Sequence, residues 1–260
     1  MSEGQITVER GERIWRLCLD NPARRNAMTA AMWDQLASAC AEAEGAGARV
    51  LMVYGAERTF CAGASIDAFE TDRANPAGAQ GYDDRVEACC RALEAVNMPT
   101  LALIQGACAG AGLSIAASCD LRLAASDALL LMPAARLGLG YDPRGLTRLR
   151  AVFGPGLTRE LLATAEKLSA ERAHTLGAIQ RLSAPDIAGT DADALAESIA
   201  ANAPLTLAAA KHALRALERP LDPDLWSNAW RSLDRADASE DYVEGRRAFR
   251  ERRDPKFQGR

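Results

Sequence analysis

"QGACAGAGLSIAASCDLRLAAS", from Gln105 to Ser126, decides the fold. The chain leaves an apolar, strand-forming run (Thr100–Ile104) through a turn of Gly, Ala and Cys, and a helix begins near Gly112. Such small residues let backbone amides come close to a ligand. A helix start also leaves N–H groups unpartnered and partly positive. A second stretch, "TFCAGASIDAF" (Thr59–Phe69), is constructed the same way: the strand-like "RVLMVYG", a small-residue turn around Gly63, then a helical pattern. Both turns lie at the C-terminal end of a strand, where α/β sheets place ligands. Read alone, either is only a tight turn. One amide from each, converging on one point, would make an oxyanion hole, with each donor worth about 3–4 kcal/mol.

Working outward, "QITVERGERIWRLCLD" alternates on both sides of Gly11 and reads as a hairpin. Thr29 can cap a helix from about Ala30 to Glu44, with Met32, Leu36, Ala39 and Cys40 at helical spacing. Residues 71–82, "TDRANPAGAQGY", read as a loop, and Asp83–Val96 as a helix. "DLRLAAS" and "ALLLM" read as strands, and from Gly145 the pattern is helical almost without interruption. Ser169 opens a further helix, Pro185–Asp193 reads as a connector, and the tail from Asp191 is helical with breaks around Arg219–Asp224 and Ala238. Strands alternating with helices over the first ~140 residues predict an α/β fold with largely parallel pairing. The apolar residues of the helical tail (Leu207, Ala210, Leu214, Leu217, Trp226, Trp230) exceed what one solvent-facing layer needs. They call for a neighbouring subunit or for the chain's own core.

The 260 residues are 48% hydrophobic and 25% charged, globular values, with a formal charge of −4. That acidic balance offers no general attraction to nucleic acid or to an anionic membrane. Seven cysteines show no metal-ligand spacing, and His174 and His212 are the only histidines, so no metal site is expected. Free buried thiols in a reducing compartment are the simplest reading. "MSEGQITVERGER" lacks the apolar core of a signal peptide, and no apolar run reaches about 18 residues. A cytoplasmic protein is expected.

"NPARRNAM", "TFCAGASI" and "QGACAGAGLSIAASCDLRLAAS", in this order and spacing, resemble the enoyl-CoA hydratase/isomerase (crotonase) superfamily, and so does the tail "SEDYVEGRRAFRERRDPKFQGR". The resemblance implies an α/β crotonase-type spiral of ββα repeats over residues 1–195 and a helical trimerisation region over 196–260, in a homotrimer or a dimer of trimers. It implies an acyl-CoA thioester as substrate, an enolate intermediate, and no cofactor besides the coenzyme A that the substrate carries. By position, the oxyanion amides fall on Ala64 and Ala111. A left-handed backbone at either alanine would be strained. Arg24, Arg25 and Ala27 fall in the segment that lines the coenzyme A nucleotide, and Ala62 and Ile66 beside the pantetheine. Lys256 and Phe257 resemble residues that reach a neighbouring subunit's nucleotide.

The resemblance also shows where this chain departs. Hydratases of the family use two glutamates, and the matching positions here are Ser114 and Ala134. Neither is a carboxylate, so the usual hydration mechanism does not carry over. Asp142, in "GLGYDPRG", stands where relatives that shift double bonds often carry an aspartate. One carboxylate can take a proton from one carbon and return it at another, which suffices for isomerisation. An Asp before Pro is also an ordinary turn residue. Tyr141 is a second candidate, as hydrogen-bond donor or pocket wall, and Arg144 could neutralise Asp142. "GLSIA" (Gly112–Ala116) resembles a nucleophile elbow, which makes Ser114 a candidate thioester hydrolase nucleophile if a base is near. A chain that kept the pocket and lost its acid–base groups would be an acyl-CoA-binding scaffold.

Overall fold

A computed structural model describes residues 4–65 and 75–260 of the chain. Ile66, expected beside the pantetheine, lies outside the described residues. β1 (Gln5–Arg10) and β2 (Ile14–Asp20) form the expected hairpin, with Val8 opposite Leu17. β3 (Val50–Gly55), β4 (Thr100–Ile104), β5 (Ala107–Ala109), β6 (Leu121–Ala125), β7 (Leu129–Leu131), β8 (Leu168–Ser169) and β9 (Arg181–Ser183) complete the strands among the described residues. They form a six-stranded sheet in the order β1-β2-β3-β4-β6-β9 and a three-stranded sheet in the order β5-β7-β8. From β2 to β9 the large sheet is parallel throughout. β8 and β9, two and three residues long, lie inside a stretch whose pattern reads as helix.

A repeating path links the two sheets. β2 leads to Met28, which bridges to Ala64, and then to helix α1 (Ala30–Gly45). β3 leads to Cys61, which bridges to Cys108, and beyond it comes α2 (Pro76–Ala95). β4 leads to β5 and then to α3 (Ala111–Ser118), while β6 leads to β7 and then to α4 (Pro143–Thr164). Each turn of the spiral thus places one strand in the large sheet, one short pairing in the small layer, and one helix outside. The small layer is where successive turns of the spiral touch.

Local chemistry sets these elements. The Thr29 side chain accepts from Met32 N (3.3 Å), capping α1 as its sequence predicts. α2 starts seven residues before the expected Asp83, within the stretch read as a loop. Asn75 Oδ1 accepts from Gly78 N at 2.9 Å, and that cap carries the chain through its Gly and Ala residues. α3 is buried on nearly every side. Its C-terminal carbonyls are satisfied by the buried Arg122 guanidinium, which donates to Ala116 O (3.2 Å) and Cys119 O (2.7 Å).

α5 (Ala170–Thr175) begins at the expected Ser169 cap. α6 (Ala188–Ala200) begins inside the stretch read as a connector and runs across the boundary expected between residues 195 and 196. Ala188, Ala192, Ala196 and Ala200 recur every four residues on one face and pack against Ile14, Val50, Met52, Leu101, Leu103 and Leu123 of the large sheet. Alanine lets the helix approach the strands closely. α7 (Pro204–Glu218), α8 (Pro223–Asp237) and α9 (Glu240–Glu251) follow, with breaks near the expected positions and one more before Pro204. In the single chain Leu214, Leu217 and Trp230 remain exposed.

Candidate active site

The two glycine turns lie side by side. Cys61 N donates to Ala107 O and Ala109 N donates to Cys61 O, both at 2.9 Å. A Cβ added to Gly112 would stand 2.7 Å from Cys61 O, and one added to Gly110 would stand 3.8 Å from Gly63 Cα. Gly112 therefore has to lack a side chain for the turns to meet. Left-handed backbone falls on Gly63 (φ +125°) and Gly110 (φ +49°), one residue before each expected donor. Ala64 and Ala111 take ordinary backbone, so neither alanine is strained. Met28 N donates to Gly63 O and Ser65 N donates to Met28 O, at 2.9 and 2.8 Å, which leaves the Ala64 N–H on the opposite edge. Ala111 is the first residue of α3, where an N–H has no intrahelical partner.

The "NPARRN" turn props the first of these two turns. Arg25 and Asn26 are both left-handed (φ 48° and 58°), and Arg25 O accepts from Ala62 N at 3.0 Å. The wholly buried Asn26 side chain accepts from Asn21 N (3.0 Å) and donates to Ala56 O (2.9 Å) and Thr59 O (2.5 Å). Arg24 and Arg25 are exposed beside the turn, with Arg24 Nη1 donating to Ser65 Oγ at 2.9 Å, and Ala27 is buried beneath them. Lys256 and Phe257 are held elsewhere. Lys256 N donates to Glu244 Oε1 (3.0 Å) and Phe257 O accepts from Arg49 Nη2 (2.9 Å), and neither residue lines the cavity described next.

Ala62, Gly63 and Ala64 on one side and Gly110 and Ala111 on the other open into one cavity of about 630 Å³. Trp33, Val86, Met132, Pro133, Ala134 and Leu139 give it an apolar lining. Ser114 and Ala134, the two glutamate positions, both face it. Ser114 Oγ lies 2.9 Å from Tyr141 Oη. Burial pushes the Tyr141 phenol up to about 12, against the hydrogen bond it shares with Ser114.

Asp142 also lines the cavity, and it is already engaged. It caps α4 by accepting from Arg144 N (2.8 Å), and its carboxylate takes a two-pronged bond from the Arg144 guanidinium (2.9 and 2.6 Å). Those bonds hold its pKa below the ordinary carboxylate range. Arg144 reaches across to Asp84 of α2 at 2.8 Å, clasping two walls together.

Below that clasp lies a group that sequence reading missed. Buried Arg148 of α4 donates to Glu87 Oε2 (3.1 Å) and to Glu94, and Glu87 also pairs with Arg91 (2.6 Å). Burial alone would raise the Glu87 carboxyl, but the two guanidiniums outweigh it and hold it down. Arg148 and Glu87 stand 61 residues apart, and neither carries a local signal of the pairing.

The hydrolase constellation is not assembled. His174 Nδ1 pairs with Ile179 O (2.9 Å) and His212 Nδ1 with Ser232 Oγ (2.6 Å), and neither imidazole lines the cavity. Cys61 is fully buried and its thiol is pushed up to about 12 by that burial. All seven cysteines are free, and no cluster of metal-ligating side chains occurs among the described residues. No helix among them is long and apolar enough to cross a membrane.

The profile of the enoyl-CoA hydratase/isomerase family matches residues 9–260. A probable enoyl-CoA hydratase of Mycobacterium tuberculosis is 36% identical, over 98% of this chain and 99% of its own. The 2,3-dehydroadipyl-CoA hydratase of Escherichia coli is 31% identical over the same shares. Among solved structures, an enoyl-CoA hydratase/carnithine racemase from Magnetospirillum magneticum superposes with a TM-score of 0.91 at 30% identity, covering 100% of this chain and 97% of that one. An enoyl-CoA hydratase/isomerase family protein from Hyphomonas neptunium gives 0.90 at 33%, covering 98% of each. The fold thus agrees with the comparisons, and the chain belongs to the enoyl-CoA hydratase/isomerase family.

Proposed function

We propose that the cavity binds an acyl-CoA thioester with its carbonyl oxygen between the amides of Ala64 and Ala111, which stabilise the enolate formed when the α-proton leaves. The observation that carries this reading is the contact of the two turns. Cys61 is bonded to β5, and Gly112 is packed against Cys61, so both alanines open into one cavity. Removing one such donor from an oxyanion hole costs about 3–4 kcal/mol of transition-state stabilisation.

Asp142 is the base in this reading. Its lowered pKa keeps it ionised at neutral pH, the state a base needs, while the Arg144 pairing weakens its pull on a proton. With Ser114 and Ala134 at the glutamate positions, we assign one-carboxylate isomerisation: Asp142 takes the α-proton and returns it at another carbon. Exposed Arg24 and Arg25 beside the pocket's first turn suit the nucleotide phosphates. Lys256 and Phe257 would serve a neighbour's nucleotide in a homotrimer or dimer of trimers, whose interface the exposed Leu214, Leu217 and Trp230 favour. Coenzyme A arrives on the substrate and no other cofactor is assigned. The free thiols favour a reducing setting, and we assign the cytoplasm.

The test is α-proton exchange in deuterated water on a bound thioester, read by mass spectrometry. Asp142→Asn keeps the helix cap and should slow exchange by about 10²–10⁴-fold. Unchanged exchange removes Asp142 from the mechanism. A second reading, a binding scaffold without turnover, is favoured by the Arg144 pairing that already occupies Asp142. It predicts tight coenzyme A thioester binding with no exchange in the wild type.

A further inference from the structure

Among the side chains that line the cavity, Ser114 and Tyr141 bring two hydroxyls together, with Ser114 Oγ 2.9 Å from Tyr141 Oη. Two hydroxyls own two hydrogens, and the bond between them uses one. Among the described residues, the pair's other hydrogen-bond contact is from Ser114 Oγ to Gly110 O at 3.4 Å, long for a hydroxyl donor. Whichever oxygen donates, the pair keeps one hydrogen and free lone pairs for a third group. The pair is also seated with care. A Cβ on Gly145 would stand 2.8 Å from Tyr141 Cε1, so the ring lies where α4 makes room for it. Ser114 sits one helical turn beyond Ala111, which puts the pair close to the thioester end of the cavity.

We propose that Ser114 and Tyr141 together recognise an oxygen on the acyl chain, so that the preferred ligands are acyl-CoA thioesters bearing a hydroxyl or oxo group within the first few carbons. This rests on the thioester reading above. The geometry favours such a ligand because its oxygen completes the pair, while a plain chain leaves it as it stands. Since the pair already satisfies one of its two hydrogens without a ligand, rejection of plain chains is moderate. The phenol stays protonated through neutral pH, so it remains a donor.

The experiment is calorimetric titration of the full chain at pH 7 with a saturated acyl-CoA and with its 3-hydroxy and 3-oxo counterparts of equal length. The wild type should bind the oxygenated thioesters roughly tenfold more tightly, the worth of one hydrogen bond. Tyr141→Phe and Ser114→Ala should each bring the ratio to within about twofold, with the loss falling on the oxygenated ligands. Circular dichroism and the melting temperature confirm that each variant is folded. Gly145→Ala, which pushes the ring from its seat, should lower the ratio as well. Equal affinities in the wild type, or an unchanged ratio in Tyr141→Phe, overturn the proposal while leaving the thioester reading in place. Failure to bind any of the thioesters overturns both.

Discussion

Two walls face each other across the cavity, and they are made of different materials. One is backbone: the turns at Gly63 and Gly110, fixed by hydrogen bonds between strands and by the absence of a Cβ on Gly112. The other is side chains: Ser114, Ala134, Tyr141, Asp142, Glu87 and Arg148, contributed by α2, α3, α4 and the segments between them. The family resemblance implies such a backbone wall. For the side-chain wall it implies glutamates at two positions where this chain has Ser114 and Ala134. A main-chain amide survives substitution of its own residue, whereas a carboxylate does not. Within one fold, binding and polarisation of a carbonyl are therefore kept more easily than any one route for the proton.

The strongest way to break the side-chain wall is at Arg148. Arg148→Met leaves Glu87 and Glu94 without their shared cation, and denaturant unfolding should show a loss of about 3–5 kcal/mol. The pH dependence gives a second readout. The Glu87 pKa is lowered on folding, so its contribution is present above the ordinary carboxylate pKa and is lost as pH falls through the folded value. In Arg148→Met Glu87 keeps only Arg91, so less holds its pKa down. The Glu87 carboxyl takes up a proton more readily, and the variant's deficit should shrink on acidification below about pH 5.

The backbone wall breaks at Gly112. Its alanine variant must push Cys61 away, at a cost of about 1–3 kcal/mol, and the two turns separate. The comparison sharpens here, because this variant keeps every acid–base side chain. It should lose α-proton exchange along with the amides' alignment, measured on the folded fraction.

The smallest effect is at Arg144. Its methionine variant frees Asp142, whose pKa should return toward the ordinary range and whose strength as a base should rise. Exchange should quicken roughly two- to fivefold. Its acid limb should move to higher pH, since the wild-type carboxylate stays ionised to lower pH. The ion pair itself, half-exposed, should cost under about 1 kcal/mol of stability.

What the sequence disclosed follows the same division. The hairpin, α1 with its Thr29 cap and the two turns were legible because each rests on neighbours in the chain. α2 starts earlier than its composition predicts: "NPAGAQG" is turn-like, and one Asn75 cap outweighs it. Only the start of α6 falls in the stretch that reads as a connector, because its alanines, recurring every four residues, give little hydrophobic signal. A left-handed backbone would strain either alanine, but Gly63 and Gly110 carry the positive φ one residue earlier. Asn26, the buried prop of the first turn, was hidden in a stretch read simply as a turn. Glu87 and Arg148 meet only through the packing of two helices, and no spacing announces them.

The central claim is that two main-chain amides hold one thioester oxygen. Infrared difference spectroscopy of an acyl-CoA thioester, isotope-labelled at its carbonyl and bound to the wild-type chain, tests it most directly. A carbonyl stretch moved to lower frequency than in free thioester, and moved back by Gly112→Ala, is the predicted result. A bound carbonyl whose stretch matches that of the free thioester would contradict it.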